Sequence, residues 1–225
     1  MNKNNKLVLA IDGPAGAGKS TIAKMLANKL KYIYIDTGAM YRALTLKALN
    51  KGINLKSKEE LANLVQNTEI NLKKVDKKDK VFLDSKDVSK DIRKNKVSNY
   101  VSVVAKYKVV RDKLLKLQRQ MANKGGVVMD GRDIGTVVLP NADIKIFLTA
   151  SVNERAKRRY QELKEQEKNI NFEQIKKEII KRDEQDRNRK IPPLKKANDA
   201  IEIDSSNLSK KEVVTKIISI FQNKK

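Results

Sequence analysis

The sequence predicts an α/β fold of three layers, with a parallel sheet held between helices. Five short, unbroken apolar runs at residues 7–11, 32–35, 127–129, 144–148 and 201–203 are mostly separated by helical patterns, the pattern of strands buried on both faces. The first run leads directly into Gly13-Pro14-Ala15-Gly16-Ala17-Gly18-Lys19-Ser20, a complete G-x-x-x-x-G-K-[ST] loop. That loop opens a helical pattern in which Ile22, Leu26 and Leu30 share a face. Strand, glycine loop and helix in this order make a phosphate cradle. The glycines let successive N–H groups turn inward, Lys19 neutralises charge, Ser20 offers a hydroxyl to Mg²⁺, and the helix presents its positive end to the same place.

The second run ends in Asp36-Thr37-Gly38-Ala39-Met40-Tyr41-Arg42. Thr37 is placed to cap the next helix, and Arg42 falls in its first turns. Residues 69–75 and 80–84, joined by Asp76-Lys77-Lys78-Asp79, read as a polar hairpin where a crossover helix is expected, hence a small β insertion. Residues 94–124 read as a long helical region. The third run ends in Met129-Asp130-Gly131-Arg132-Asp133-Ile134-Gly135-Thr136, with Asp130 where such folds keep a carboxylate beside Mg²⁺. In open α/β sheets the carboxyl edge of the strands is where ligands bind, so the three motifs are expected to converge on one cleft. Arg155, Arg158 and Arg159, at i, i+3 and i+4, are expected on the triphosphate side. Residues 168–190 read as a highly charged helix leading to Ile191-Pro192-Pro193, a candidate mobile lid. Within it Ile175, Ile179, Arg182, Asp186 and Arg189 form a helical stripe that changes from core to ligand face. Residues 1–5 read as a disordered tip.

Composition narrows the chemistry. The chain has 225 residues, no Cys and no His, so thiolate metal sites, disulfides and imidazole catalysis are excluded. Lys, Arg, Asp, Ser and Mg²⁺ are what remain. No apolar stretch approaches the roughly 18 residues of a membrane span and no signal-peptide core is present, so a cytoplasmic protein without a membrane partner is expected. The net charge of +23 would suit nucleic acid. However, the Lys residues are scattered and aromatics are only 4%, without the stacking platforms of single-strand binders; no specific nucleic-acid partner is expected. Arg is scarce in this Lys-rich chain, and nine of the eleven lie in the segments singled out above or at Arg111 and Arg187, where a planar fork suits phosphate or a base edge.

These motifs resemble those of bacterial cytidylate kinases. The matching segments are Ile11-Asp12-Gly13 through Thr21, Asp36 through Arg42, Asp130 through Val138, and Arg182-Asp183-Glu184-Gln185-Asp186-Arg187-Asn188-Arg189, spread over nearly the whole chain. The Gly131-Arg132-Asp133 segment and the last motif are the family-specific ones. The resemblance implies a P-loop NTPase fold with a parallel sheet, a small β-rich insertion and a helical lid. It implies a single kinase domain with core 1–64 and 94–225, an insertion at about 65–93 and a lid at about 165–192, expected as a monomer. The implied activity is transfer of the γ-phosphoryl of ATP to CMP or dCMP, with Mg²⁺. ATP would be held by Gly13, Pro14, Ala15, Gly16, Ala17, Gly18, Lys19, Ser20, Thr21 and Arg158. Ser20 and Asp130 would hold the metal, directly or through water. Ser20 stands where many relatives carry glycine, which implies that its hydroxyl is dispensable there.

For the acceptor, cytosine presents an amine donor and two acceptors. A selective pocket therefore needs a carboxylate and donors, which Asp133 and Arg111 supply. The resemblance adds Ser102 at the base, Arg42, Arg132 and Arg189 toward the phosphate, Arg182 and Asp186 at the sugar, and Thr37 among the acceptor contacts. Lys19, Arg132 and Arg189 would stabilise the transferring group. Ser102 and Arg111 are nine residues apart, about 900° of rotation, and would face opposite sides of one straight helix; either the helix breaks near residues 106–108 or Ser102 is not a ligand. Two other readings stay open: another small-molecule P-loop kinase, and an RNA-associated P-loop NTPase, although the N-K-x-D motif of a GTPase is absent.

Overall fold

The structure is a computed structural model that describes residues 6–76, 78–164, 170–188 and 192–224. In chain order the elements are β1 (Val8–Asp12), α1 (Lys19–Leu30), β2 (Ile33–Asp36), α2 (Thr37–Asn50), α3 (Lys58–Gln66), β3 (Ile70–Val75), β4 (Lys78–Leu83), β5 (Lys86–Asp87), α4 (Asn95–Ala105), α5 (Lys108–Ala122), β6 (Val127–Asp130), β7 (Ile144–Thr149), α6 (Val152–Lys164), α7 (Phe172–Asn188), β8 (Ile201–Asp204) and α8 (Lys210–Gln222). A 3-10 turn covers Asp91–Arg93 and a π-turn Ile134–Val138. Residues 1–5, Arg189 and most of the segment that joins α6 to α7 lie outside the described residues.

The chain divides into two compact units, one of residues 1–34 and 124–225, the other of 35–123. The first carries the five-stranded sheet, in the order β2-β6-β1-β7-β8, and the five apolar runs are its five strands. β1 pairs in parallel with β6 and β7, and β7 with β8: Val8 opposite Val127 through Ile11 opposite Asp130, Leu9 opposite Ile144 through Asp12 opposite Phe147, and Ile146 opposite Ile201. This register sets the ends of β1 and β6 side by side, so the glycine loop and the loop after Asp130 leave the same edge. Leu9, Ile11, Leu26, Val128, Ile146, Leu148, Val213 and Ile217 form the core beneath. Cutting one such side chain back to Ala, for example Leu26, costs about 2–5 kcal/mol, and that packing keeps the strand ends in place.

The second unit begins at the last residues of β2. Its helix α2 is buried along most of its length because Ala39, Met40, Ala43, Leu44, Leu46 and Ala48 leave few polar positions. The cap of α2 is Asp36, which accepts from the Ala39 N–H at 2.7 Å. Thr37 is therefore the first helical residue and not the cap expected from sequence. Both residue types cap well, and the aspartate comes first.

Two further points fall in this unit. The long helical region is two helices, α4 and α5, separated by Lys106 and an extended Tyr107, within the 106–108 stretch of the first alternative. No Gly or Pro makes the break. Val101, Val103 and Val104 weaken the end of α4 through their β-branching, and the Arg111 guanidinium donates back to the Ala105 carbonyl at 3.4 Å, supplying one of that helix's orphan acceptors. The rotation of one straight helix thus does not constrain Ser102 against Arg111. The hairpin is tighter than expected and has a third strand. Lys78 and Asp79 belong to β4. Asp84 and Ser85, both left-handed at φ 45° and 68°, form a two-residue turn of the I′ kind that pairs Leu83 with Lys86 in β5.

Candidate active site

In the first unit the site is built at the carboxyl ends of β1 and β6. Gly13 has φ +148°, and a Cβ there would lie 1.9 Å from the Leu148 carbonyl oxygen, so only glycine permits the turn out of β1. Gly18, left-handed at φ 87°, is the residue before α1. Lys19 opens that helix and is buried, its Nζ donating to the Pro14 carbonyl at 2.7 Å. Burial, then the charge of Arg132, push the Lys19 ammonium well below its ordinary pKa, against the pull of Asp130 and Asp186. Lys19 is thus a desolvated amine set among other charges.

Ser20 donates from Oγ to Asp130 Oδ2 at 2.9 Å, and the Tyr34 hydroxyl donates to Asp130 Oδ1 at 2.8 Å. One hydroxyl and one carboxylate, both hard oxygen donors, fit Mg²⁺, which is held by one or two protein oxygens while phosphates and water fill the rest of its shell. Among the described residues no cluster of three or more acidic, His or Cys ligands forms an all-protein cage.

Beyond Asp130 the chain passes Gly131, Arg132 and Asp133 into the π-turn, in which Val138 N–H donates to the Asp133 carbonyl at 3.1 Å and Leu139 N–H to that of Ile134 at 2.7 Å. Asp133 is buried at 5% exposure. Arg132 donates from Nε to Asp186 Oδ2 at 2.8 Å and from Nη1 to the Gly131 carbonyl at 3.2 Å. Burial opposes its charge, but Asp186 and then Asp130 and Asp12 outweigh it and raise the pKa further. The predicted Arg132 and Asp186 are therefore brought together by a charge-assisted bond that joins α7 to the loop after β6.

Two of the arginines of α6 lie against the glycine loop. Arg155 reaches the glycine loop, but its donors are engaged by protein: Nη1 to the Ala15 carbonyl at 3.0 Å, Nε to the Ala150 carbonyl at 2.9 Å, and Nη1 and Nη2 to Asp183 at 3.0 and 2.6 Å. Arg158 donates to the Ser205 carbonyl at 2.8 Å and to Glu154 at 2.9 Å, beside the loop carbonyl of Ala17. Arg159 pairs with Glu162 at 3.4 Å. On α7 the buried face carries Ile175, Ile179, Asp183 and Asp186. Arg182 is half-buried, so the polar members of the inner face are Asp186, as expected, and Asp183, which was not expected there; Arg189 is outside the described residues.

In the second unit the polar centre is Asp36. Besides capping α2 it accepts from Arg42 Nη2 at 3.2 Å and from Arg93 Nη2 at 3.1 Å. Gly38 leaves room for this, since a Cβ there would lie 3.0 Å from Arg42 Nη1. Arg111 is buried and stacks 5.9 Å from the Tyr41 ring centre. Thr37 is buried and Ser102 half-buried.

Five participants went unassigned in the sequence reading: Asp12, Tyr34, Asp36, Arg93 and Asp183. Asp12 and Asp183 had a signal, a carboxylate at the end of an apolar strand and another four residues after Ile179 on an apolar stripe. Arg93 had none.

The cytidylate kinase family model matches residues 9–223. The chain belongs to the cytidylate kinase family. A cytidylate kinase of Bacillus pumilus is 54% identical over 213 residues, covering 95% of each chain, and one of Bacillus subtilis is 52% identical over 219 residues, covering 97% of this chain and 98% of the relative. Among solved structures, an uncharacterized protein from Eubacterium ventriosum aligns at TM-score 0.53 and 14% identity, covering 96% of this chain and 99% of that one. A shikimate kinase from Bacteroides thetaiotaomicron aligns at 0.51 and 13%, covering 96% and 98%. At these identities the likeness is one of fold, a P-loop kinase fold with a mostly parallel sheet and a small antiparallel one. Membership of the cytidylate kinase family decides the readings the sequence left open in favour of a nucleoside monophosphate kinase.

Proposed function

We propose that this cytidylate kinase family member transfers the γ-phosphoryl of ATP to CMP and dCMP. The observation that carries the reading is the gathering of Lys19, Ser20, Asp130, Arg132 and the buried Asp133 at the carboxyl ends of β1 and β6. In this reading Gly13 to Thr21 cradle the ATP phosphates, with Lys19 on their charge and Arg158 beside them. Ser20 and Asp130 hold Mg²⁺, whose chemistry when bound is to neutralise charge across the donor phosphates. Asp133 accepts from the cytosine amine, and Arg111 and Ser102 serve the rest of the base. Arg182 and Asp186 serve the sugar. Arg42, Arg132 and Arg189 serve the phosphate, and Thr37 is among the acceptor contacts.

No general base is required, because the acceptor phosphate is an anion at neutral pH. Catalysis then consists of placement and charge stabilisation by Lys19, Arg132 and Arg189. Residues 165–192 act as the lid that excludes water from the transfer. The protein works as a monomer in the cytoplasm; among the described residues no helix is long and apolar enough to cross a membrane.

The substrate class is tested by ADP release with CMP, dCMP, UMP, AMP and GMP: CMP and dCMP turn over well, and equal turnover of AMP and CMP overturns the reading. The base contact is tested by Asp133→Asn. The amide offers a donor where the cytosine amine also donates, so CMP loses about 2 kcal/mol of transition-state stabilisation while UMP loses less or gains. The CMP:UMP ratio of kcat/KM falls roughly tenfold. An unchanged ratio removes Asp133 as the base reader, whatever happens to absolute activity.

A further inference from the structure

Asp12, the last residue of β1, has no part in the reading above, yet its surroundings are unusually specific. It is 4% exposed. Its two carboxylate oxygens accept from consecutive backbone groups, Oδ1 from the Ile134 N–H at 2.8 Å and Oδ2 from the Gly135 N–H at 2.7 Å. These are the first two residues of the π-turn, and the residue immediately before them is Asp133. The turn is held from the other side as well. A Cβ on Gly135 would lie 3.1 Å from Lys145 Cδ and 3.4 Å from Asp12 Oδ2. Lys145 cannot swing away freely, because its ammonium is fixed to the Pro140 carbonyl and to Asp199. Gly135 is thus pinched between the Lys145 stem and the Asp12 carboxylate.

We infer that Asp12 is a positioning residue for acceptor discrimination: its bidentate grip on the Ile134 and Gly135 N–H groups fixes the backbone that carries Asp133, and with it the direction in which the Asp133 carboxylate meets the base. The inference rests on Asp133 being the base reader. A neutral side chain cannot replace this grip, since only an ionised carboxylate accepts on both oxygens at once. Burial pushes the Asp12 carboxyl up to about 6 even though both N–H bonds pull it down, with Asp133 adding to the rise and Lys19 opposing it. A carboxylate kept at such a site is costly for folding alone, which is the mark of a functional constraint.

Two substitutions test this. Asp12→Asn keeps the shape but provides one acceptor and turns an N–H₂ toward a backbone N–H. Gly135→Ala leaves every charge in place and forces the turn away from Lys145 and Asp12. Each is compared with wild type and Asp133→Asn for kcat/KM with CMP and with UMP, together with the melting temperature. The expected result is that both variants reduce the CMP:UMP ratio by about threefold to tenfold, the worth of one oriented hydrogen bond, mainly through CMP. If both lower the melting temperature and the two substrates suffer alike, Asp12 is a structural brace and the inference is overturned. Should Asp12→Asn fail to fold, Gly135→Ala alone decides. A ratio that falls in Asp133→Asn but holds in the other two overturns only the role of Asp12. A ratio that holds in Asp133→Asn overturns the base-reader assignment and the inference together.

Discussion

The two units handle charge in different ways. In the first, ionised groups sit where water does not reach: Asp12 is pushed up to about 6, Lys19 is pushed well down, and the Arg155–Asp183 pair has both side chains less than 10% exposed. In the second, two carboxylates near the surface are lowered. Burial alone raises Asp84, but its bonds to Lys47 and to the Glu69 N–H, with the charges of Lys47 and Lys51, outweigh it and lower the carboxyl, and Asp87 is lowered by Lys80 and Ser89. Even Asp36 shares itself with an Arg93 whose side chain is 50% exposed. The first unit holds its shifted buried charges against their solvation, which surrounding structure must enforce; the second buries Asp36, Lys47 and Arg111 as well, but the shifts of Asp84 and Asp87 are those of carboxylates near water. Strained ionisation of this kind concentrates where chemistry occurs.

The contrast can be broken at several points, and the largest effect is expected at the Arg155–Asp183 pair. Asp183→Ala leaves a buried guanidinium without its carboxylate and lowers stability by about 3–5 kcal/mol, read as a shift of the urea midpoint at constant slope. A loss under 1 kcal/mol would place the pair among ordinary surface contacts. Lys19→Ala should act on turnover instead, removing about 3–4 kcal/mol of transition-state stabilisation, a drop of about 10²–10³ in kcat, with the melting temperature kept. Near-normal turnover of this variant contradicts the role of the loop.

Asp12 sharpens the comparison through pH. Its folded pKa of about 6 lies above the ordinary 3.8, so between these values the folded state binds more protons than the unfolded chain. Its contribution to stability is complete below about pH 4 and is lost as pH rises through about 6, amounting to about 3 kcal/mol. The difference in unfolding free energy between Asp12→Asn and wild type should thus move in favour of the variant over that interval and level off above it. Urea titrations at pH 4, 5, 6 and 7 measure it; a pH-independent difference rules out the buried ionisation. The smallest effect is expected in the second unit. Arg93→Ala removes a half-exposed partner of Asp36 and costs no more than about 1 kcal/mol of stability, whereas a loss of several would show that this unit also depends on buried charge.

The same division explains what was readable from the residues alone. The five strands of the first sheet were legible because an unbroken apolar run such as Ile144–Thr149 has few alternatives, and the glycine loop because its spacing dictates its backbone. The break between α4 and α5 was legible only as one of two alternatives, through the nine-residue spacing of Ser102 and Arg111; no local signal marks it, because it depends on β-branched residues and on Arg111 reaching back to Ala105, neither of which punctuates a sequence as Pro or Gly does. The cap of α2 was misplaced by one residue since Asp36 and Thr37 compete for it. In the site, single residues were foreseen more readily than pairs. Arg132 and Asp186, 54 positions apart, were each named, but their bond was not. Asp183 was passed over for Arg182, one residue and 100° around the helix, because its partner Arg155 is 28 positions away and no local pattern links them.

One contact of that pair bears on how the glycine loop is oriented. In a planar trans peptide the carbonyl of one residue and the N–H of the next point in opposite directions. Arg155 holds the Ala15 carbonyl toward α6, so it also turns the Gly16 N–H the other way, and a Cβ on Gly16 would lie 3.1 Å from Arg155 Cβ. The glycines make the loop flexible enough to adopt a cradle, and an arginine on a distant helix, itself held by Asp183, selects which way one of its peptide dipoles faces. With the loop in the phosphate-binding role proposed above, a change in α7 alters phosphate affinity by rotating a peptide, without any side chain of α7 touching the phosphate.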